Sequence, residues 1–372
     1  MNREELFKIK TDKPNDSIYT AAKKRFDSLA KPVDGLGEFE DIICRIASIQ
    51  GREVPDISKK ALIIMCADNG VCAEGVSQTE PAVTFEVASL MAGGKSTVGA
   101  MIAGSYKGGS SPGMVDIIPI DIGIASDEKV RGLIDRRVAK GTGNIVKEPA
   151  MTEEECLRAI EAGIDAVRHC HENGVGLIAT GEMGIGNTTT STAVYCALTG
   201  TDPADVTGRG AGLDDAGLAR KTQVIKKALE HHDFNNNIRN ITSPQDLALS
   251  ALAKLGGLDI AGLAGVYIGG ALYDTPVIID GAITAVAAFC ASRLVPDTRG
   301  YMISSHTGKE RITGAVLDML GLKSVINAGL ALGEGTGAVM MFPLLDMVMN
   351  VYRNGTRFSD TQIKQYERFT GC

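Results

Sequence analysis

An acid set among glycines, Leu332-Gly333-Glu334-Gly335-Thr336-Gly337, is the sharpest chemical feature of the sequence. It follows the apolar stretch 325–332, and glycines on both sides strip away cover, so a substrate could reach the carboxylate. That suits a general base near neutral pH, with a helix cap or a turn residue as the alternative. A second acid, Glu182, stands in Gly181-Glu182-Met183-Gly184-Ile185-Gly186-Asn187-Thr188-Thr189-Thr190, between an expected strand and an expected helix. Asn187 suits the N-cap of that helix, and Gly184 and Gly186 leave backbone N–H groups open beside it. A helix N-terminus offers unpaired donors and the positive end of the dipole, so phosphate is its natural guest; a tight turn is the alternative. Glu182 does not suit a phosphate, but a carboxylate can accept from ribose hydroxyls. Gly208-Arg209-Gly210-Ala211-Gly212 again permits close backbone approach, ahead of a helix carrying Lys221. Arg209 and Lys221 read either as a solvated basic surface or as a second phosphate contact.

Other suggestive patterns lead nowhere. Gly93-Gly94-Lys95-Ser96-Thr97 resembles the end of a P-loop, but the earlier glycine that motif requires falls on Ser89. No GxGxxG follows a strand with an acid beyond it, which disfavours a nicotinamide-dependent oxidoreductase. His169-Cys170-His171 are helix neighbours that point in different directions, and His231-His232 reads as solvated, so no metal site is expected. No Ser/His/Asp nucleophile stands out. No cofactor is expected.

These loops need a scaffold. Short apolar runs at 61–67, 114–121, 175–180, 276–279 and 301–304 each lead into a polar or glycine-rich turn and then a helical pattern. Continuous apolar strands alternating with helices imply a parallel sheet covered on both faces. The expected fold is α/β, a doubly wound, mostly parallel, Rossmann-like sheet, with the chemistry in loops at the strands' carboxyl edge. Pro119 sits awkwardly in the second run. Thr152 and Glu155 spell a capping box, and Asp214 or Asp215 can cap the Lys221 helix. Residues 258–272 are apolar on most sides and rich in small residues, as a buried helix should be. The polar stretch 231–240 reads as an exposed connection. Residues 1–58 and 341–372 read as helical and are expected to form a smaller helical domain beside a large α/β domain, 59–340.

Composition narrows the function classes. The 372 residues carry 38 Lys and Arg against 45 Asp and Glu, a net charge of −7, with no basic stripe and few aromatics, so no nucleic-acid partner is expected. Glycine numbers 44, about 12% against a usual ~7%, consistent with many tight turns and close backbone–ligand approaches. The start lacks a signal-peptide core, and 337–351 is broken by Pro343 and Asp346, short of the ~20 apolar residues of a membrane span. Cysteines at 44, 66, 72, 156, 170, 196, 290 and 372 follow no framework spacing. A reduced, cytoplasmic protein without membrane association is expected.

Taken together the motifs resemble a known family. Ala67-Asp68-Asn69-Gly70-Val71 with Gly75-Val76-Ser77, Gly141-Thr142-Gly143-Asn144, the GEMGIGNT run 181–188, the GRGAGLDD run 208–215, Asp280-Gly281 and the LGEGTG run 332–337 look like nicotinate-nucleotide–dimethylbenzimidazole phosphoribosyltransferase, in the right order over about residues 30–345. The resemblance implies phosphoribosyl transfer from nicotinate mononucleotide to 5,6-dimethylbenzimidazole, giving α-ribazole 5′-phosphate and nicotinate for the cobalamin lower ligand. It implies Glu334 as base and Glu182 as the carboxylate facing the oxocarbenium charge. Phosphate and ribose would be held by Gly184, Gly186, Asn187, Gly210, Lys221 and Gly308, and the aromatic base by Ser77, Met183 and Leu332. The implied partners are these small molecules and a second copy of the chain in a homodimer.

The chain departs from the family pattern in places. Asn69 stands where His is usual, and Lys31-Pro32-Val33-Asp34-Gly35-Leu36-Gly37 where KPxGSLG is common. Phe85 or Glu86 stands where Gln is common, and Gly308 where Ser often stands. These changes cluster around the base pocket and leave open another benzimidazole, adenine or a phenol as acceptor. A nucleotide-sensing module without catalysis is the rival reading, and the intact Glu334 argues against it.

Overall fold

The apolar runs pair into one six-stranded sheet. The computed structural model describes residues 1–106, 115–234 and 243–368. Strands β1 (Lys60–Ala67), β2 (Val115–Gly123), β3 (Ile134–Asp135), β4 (Leu177–Met183), β5 (Val277–Ile279) and β6 (Met302–Ser304) are all parallel, in the order β3-β2-β1-β4-β5-β6. The expected strands are there, within a few residues at each end. The short, exposed β3 gave no signal in the sequence. β3 pairs only with Ile120 and Asp121, so Pro119 lies where the outer edge of β2 is open and a missing N–H is tolerated. Met114, residues 235–240 of the expected connection, and Cys372 lie outside the described residues.

Every residue of β1 is buried because helices cover both faces of the sheet. Side chains alternate: Ile63 and Met65 enter one core, Leu62, Ile64 and Cys66 the other. The first core is closed by α1 (Arg3–Lys8) and by α6 (Glu153–Glu172), α7 (Asn187–Thr199), α8 (Pro203–Val206), α9 (Asp215–His231), α10 (Pro244–Leu255), α11 (Leu258–Leu272), α12 (Ala282–Leu294) and α13 (Arg311–Leu320). The second is closed by α2 (Asp16–Asp27), α3 (Glu38–Ile49), α4 (Ala82–Ala92), α5 (Thr97–Tyr106) and α14 (Thr336–Asn354).

Local signals explain the helix ends. Thr152 and Glu155 form the capping box of α6, and the Asp214 side chain accepts from the Gly217 N–H to start α9. Helix α11 is buried along all but its last residue. The chain ends meet on the second face, where the Phe26 and Tyr352 rings lie 4.6 Å apart and the Ala30 N–H donates to Thr356 O. Helix α14 runs through Pro343, and among the described residues no helix is long and apolar enough to cross a membrane.

The strand order reverses between β1 and β4. From β1 the chain builds outward through β2 to β3, then returns to place β4 on the other side of β1. Loops leaving the carboxyl ends of β1 and β4 therefore part in opposite directions and leave a crevice between them.

Candidate active site

Glu182 stands at that crevice, one residue before the end of β4 and in register with Met65. It is buried, and desolvation pushes its carboxyl up to about 7. Asn187 enters α7 differently from the sequence expectation. Gly186 occupies the N-cap position, and the Asn187 side chain makes no cap. Its amide instead donates to Glu182 Oε2 and, at 3.0 Å, to Asp259 Oδ2. Two buried carboxyl groups facing one another need a donor between them more than the helix start needs a side-chain cap. Asp259, in the first turn of α11, is fully buried and likewise raised to about 7 by desolvation. The Asn69 side chain closes this floor, donating to Ile185 O at 3.3 Å and accepting from the Thr190 hydroxyl.

Glu334 lies directly above Glu182. Gly333, Glu334 and Gly335 have φ of 88°, 59° and 86°, three consecutive residues in the left-handed region. Glycine adopts it freely, whereas Glu334 pays about 1 kcal/mol of backbone strain. The Glu334 N–H points at the Glu182 carboxylate and favours its charged form. A Cβ on Gly333 would fall 2.5 Å from Glu182 Oε1, so the loop and the strand acid are in direct contact. The loop is strapped down by Asp280 at the end of β5, which accepts from the Gly335 N–H at 3.2 Å and the Ala338 N–H at 3.0 Å. Desolvation raises Asp280 to about 7 as well. The half-buried Glu334 side chain accepts from the Val98 N–H at 3.2 Å, at the start of α5. The Gly93-Gly94-Lys95-Ser96 run thus ends α4 and begins the helix that orients Glu334, with Ser96 Oγ accepting from the Gly99 N–H.

A third cluster forms where the 208–212 loop meets α7 and α9. Lys221 is fully buried, its Nζ donating to Thr188 Oγ1 at 2.8 Å and to Gly208 O at 3.1 Å. Burial lowers its ammonium to about 8. The expectation of a solvated Lys221 side chain is thereby excluded. Arg209 instead pairs on the surface with Asp215. The Gly210 N–H points into the same cluster, donating to Glu310 Oε1 at 3.1 Å.

The remaining expected residues surround these three groups. Met183 follows Glu182 and packs against the second core, and Leu332 precedes Gly333 with 54% of its surface exposed, so apolar groups flank the two acids. The apolar 325–332 stretch is a mostly exposed loop. Gly308 follows β6 and lies two residues before Glu310, a Cβ there falling 3.1 Å from Thr313 Oγ1. Ser77 is farther removed; its hydroxyl bonds within its own turn to Thr79, and the turn reaches the 208–212 loop through Gln78, which donates to Gly212 O. The sequence reading missed Asp259, Glu310, Thr188 and the Val98 N–H. For Asp259 a signal existed: it is the only charged residue of α11.

A family model described as "Phosphoribosyltransferase" matches residues 11–363. Nicotinate-nucleotide–dimethylbenzimidazole phosphoribosyltransferase of Acetivibrio thermocellus is 43% identical over 93% of this chain and 93% of its own. The chain belongs to this phosphoribosyltransferase family. The relative of the same name from Clostridium acetobutylicum is 38% identical over 99% of both chains. A crystal structure of CobT from Thermus thermophilus superposes with a TM-score of 0.84 at 32% identity, covering 94% of this chain and all of that one. The α/β sheet is therefore the phosphoribosyltransferase family's fold. Asn69 sits under the Glu182–Asn187–Asp259 floor, and Phe85, like Met183, packs against the second core.

Proposed function

We propose that this chain transfers the phosphoribosyl group of nicotinate mononucleotide to 5,6-dimethylbenzimidazole or a related aromatic base, releasing nicotinate and α-ribazole 5′-phosphate. The observation that carries the proposal is the direct contact of Glu182 with the glycine-flanked Glu334 loop at the switch point of the sheet, one crevice away from a buried lysine among glycine backbones. The relatives named for this reaction add independent support.

The chemistry follows from the groups. A benzimidazole ring nitrogen attacks C1′ as the bond from C1′ to the pyridinium nitrogen breaks, its electron pair neutralising that nitrogen. Nicotinate therefore leaves without acid or metal assistance. The attacking ring acquires positive charge, and the proton on its other nitrogen passes to Glu334. Positive charge at C1′ in the transition state is stabilised by the Glu182 carboxylate in its low-dielectric setting, and that charge in turn favours ionisation of an acid held near 7. The phosphate would sit on the 184–187 and 210 backbones with Lys221 and the Gly308 loop, while Met183, Leu332 and Ser77 border the ring. We also propose that the enzyme acts in the cytoplasm as a homodimer, and that 16–58 with 341–368 form its smaller helical unit, α1 packing instead into the first core.

The test is direct. Purified protein given nicotinate mononucleotide and dimethylbenzimidazole should release nicotinate only when both are present. Absence of nicotinate with this base, other benzimidazoles, adenine and p-cresol alike would sink the reading.

A further inference from the structure

Glu310 precedes the first residue of α13 and is placed to cap it, yet its side chain makes no cap. It reaches instead across the crevice, and Oε1 accepts from the Gly210 N–H at 3.1 Å. The approach is close: a Cβ on Gly208 would lie 2.6 Å from that same oxygen and 2.7 Å from Cδ, so only glycine admits the carboxylate there. Lys221 Nζ bonds to Gly208 O and lies 3.4 Å from where a Gly210 Cβ would stand. Its charge is felt by Glu310, which partly restores the proton affinity that burial removes. A carboxylate thus rests on the Gly210 N–H and within electrostatic reach of the Lys221 ammonium, without an ion pair between them, at the two donors that a sugar phosphate would use.

We infer that Glu310 is a built-in competitor for the substrate phosphate, a resident anion that a phosphomonoester must displace from the Gly210 N–H to bind. The inference rests on the proposed phosphate position and deepens it into a brake on anion binding at that position. Two anions cannot share one N–H and one ammonium without strong repulsion. A free inorganic anion has nothing beyond those donors to offset displacement of the carboxylate. A nucleotide has its ribose and ring contacts as well. Glu310 therefore weakens both by a similar factor, and only the nucleotide, with those added contacts, keeps a useful affinity.

The experiment compares the intact enzyme with Glu310→Gln and Glu310→Ala. Three readouts are taken: the inhibition constant of inorganic phosphate against nicotinate mononucleotide, the KM for nicotinate mononucleotide, and kcat/KM for nicotinate riboside, which lacks the phosphate. Removing the charge should lower the first two in parallel, each by about fivefold, because the repulsion is gone. The riboside value should not follow. Weaker or unchanged phosphate binding in both variants would overturn the inference. So would a wild-type complex with nicotinate mononucleotide in which Glu310 still accepts from the Gly210 N–H, a readout that does not depend on either variant folding. If the wild-type enzyme binds neither inorganic phosphate nor the nucleotide, the proposed phosphate position itself falls. If it binds both and only the variants fail to respond, the role of Glu310 alone is lost.

Discussion

Raising the pH from 7 to 9 should weaken binding of nicotinate mononucleotide without touching its phosphate-free analogue. Lys221 has no exposed surface, and desolvation brings its ammonium down to about 8. Only the protonated form attracts a phosphate dianion. The substrate phosphate has its second pKa near 6, so it is almost wholly dianionic and nearly constant across this window. Apparent dissociation constants scale inversely with the competent fraction. With half of Lys221 protonated at its midpoint and about a tenth one unit above, the KM should roughly double by pH 8 and rise about tenfold by pH 9. Once bound, the dianion holds the proton on Lys221, so the break belongs to KM rather than to kcat. Lys221→Met should abolish the break and raise the KM at pH 7 by about ten- to a hundredfold, the loss of one charge-assisted hydrogen bond of ~1.5–3 kcal/mol. Steady-state nicotinate release at several pH values, with nicotinate mononucleotide and nicotinate riboside in parallel, measures both effects. A KM flat to pH 9.5, or the same rise in Lys221→Met or with the riboside, would refute the reasoning.

Two further perturbations probe the acids. Glu334→Gln removes the proton acceptor while keeping size, and should lower kcat by about 10²–10⁴-fold with nucleotide affinity retained, as read by turnover and by titration; undiminished turnover would take Glu334 out of the base role. Asp259→Asn tests the buried pair through stability: the folded chain keeps a proton on Asp259 up to about 7 that the unfolded chain releases near 3.8, so its stabilising contribution is complete below 3.8 and lost as pH rises through 7. At about 1.4 kcal/mol per pH unit this is at most about 4 kcal/mol, and thermal melts from pH 5 to 8 should fall more steeply for wild type than for Asp259→Asn; parallel profiles would be the contrary result.

The strands and helices were legible because β1, β2 and β4 are long apolar runs ending in polar turns, and because capping residues such as Thr152, Glu155 and Asp214 act within one helical turn. Glu182 and Glu334 were legible for a related reason, since an acid among glycines contradicts ordinary packing, whereas Lys221 drew notice only through the glycine loop ahead of its helix. What stayed hidden depends on contacts between distant segments. Glu310 meets Gly210 across 100 residues, and no local pattern marks either as a partner of the other. Asn187 has the local look of an N-cap; only the approach of α11, bringing Asp259 opposite Glu182, draws its amide inward. The Val98 N–H is a backbone donor, which residue type cannot announce.

Three carboxyl groups held near 7, Glu182, Asp259 and Asp280, are an unfavourable investment for folding alone at neutral pH. Apolar residues in their places would remove the desolvation cost. The three are not equivalent, however. Asp280 is surrounded by N–H groups at the start of α14 and fixes the left-handed backbone that presents Glu334, so its cost goes into geometry. Besides the Asn187 amide that they share, Glu182 has the Glu334 N–H and Asp259 the Ile260 N–H, but among the described residues no cation pairs with either, and their negative potential is left under-compensated at the floor of the crevice. An under-compensated negative floor in low dielectric favours a guest that becomes positive as it reacts. A sugar losing a pyridinium at C1′ does so, and the field that stabilises it is in place before the substrate arrives.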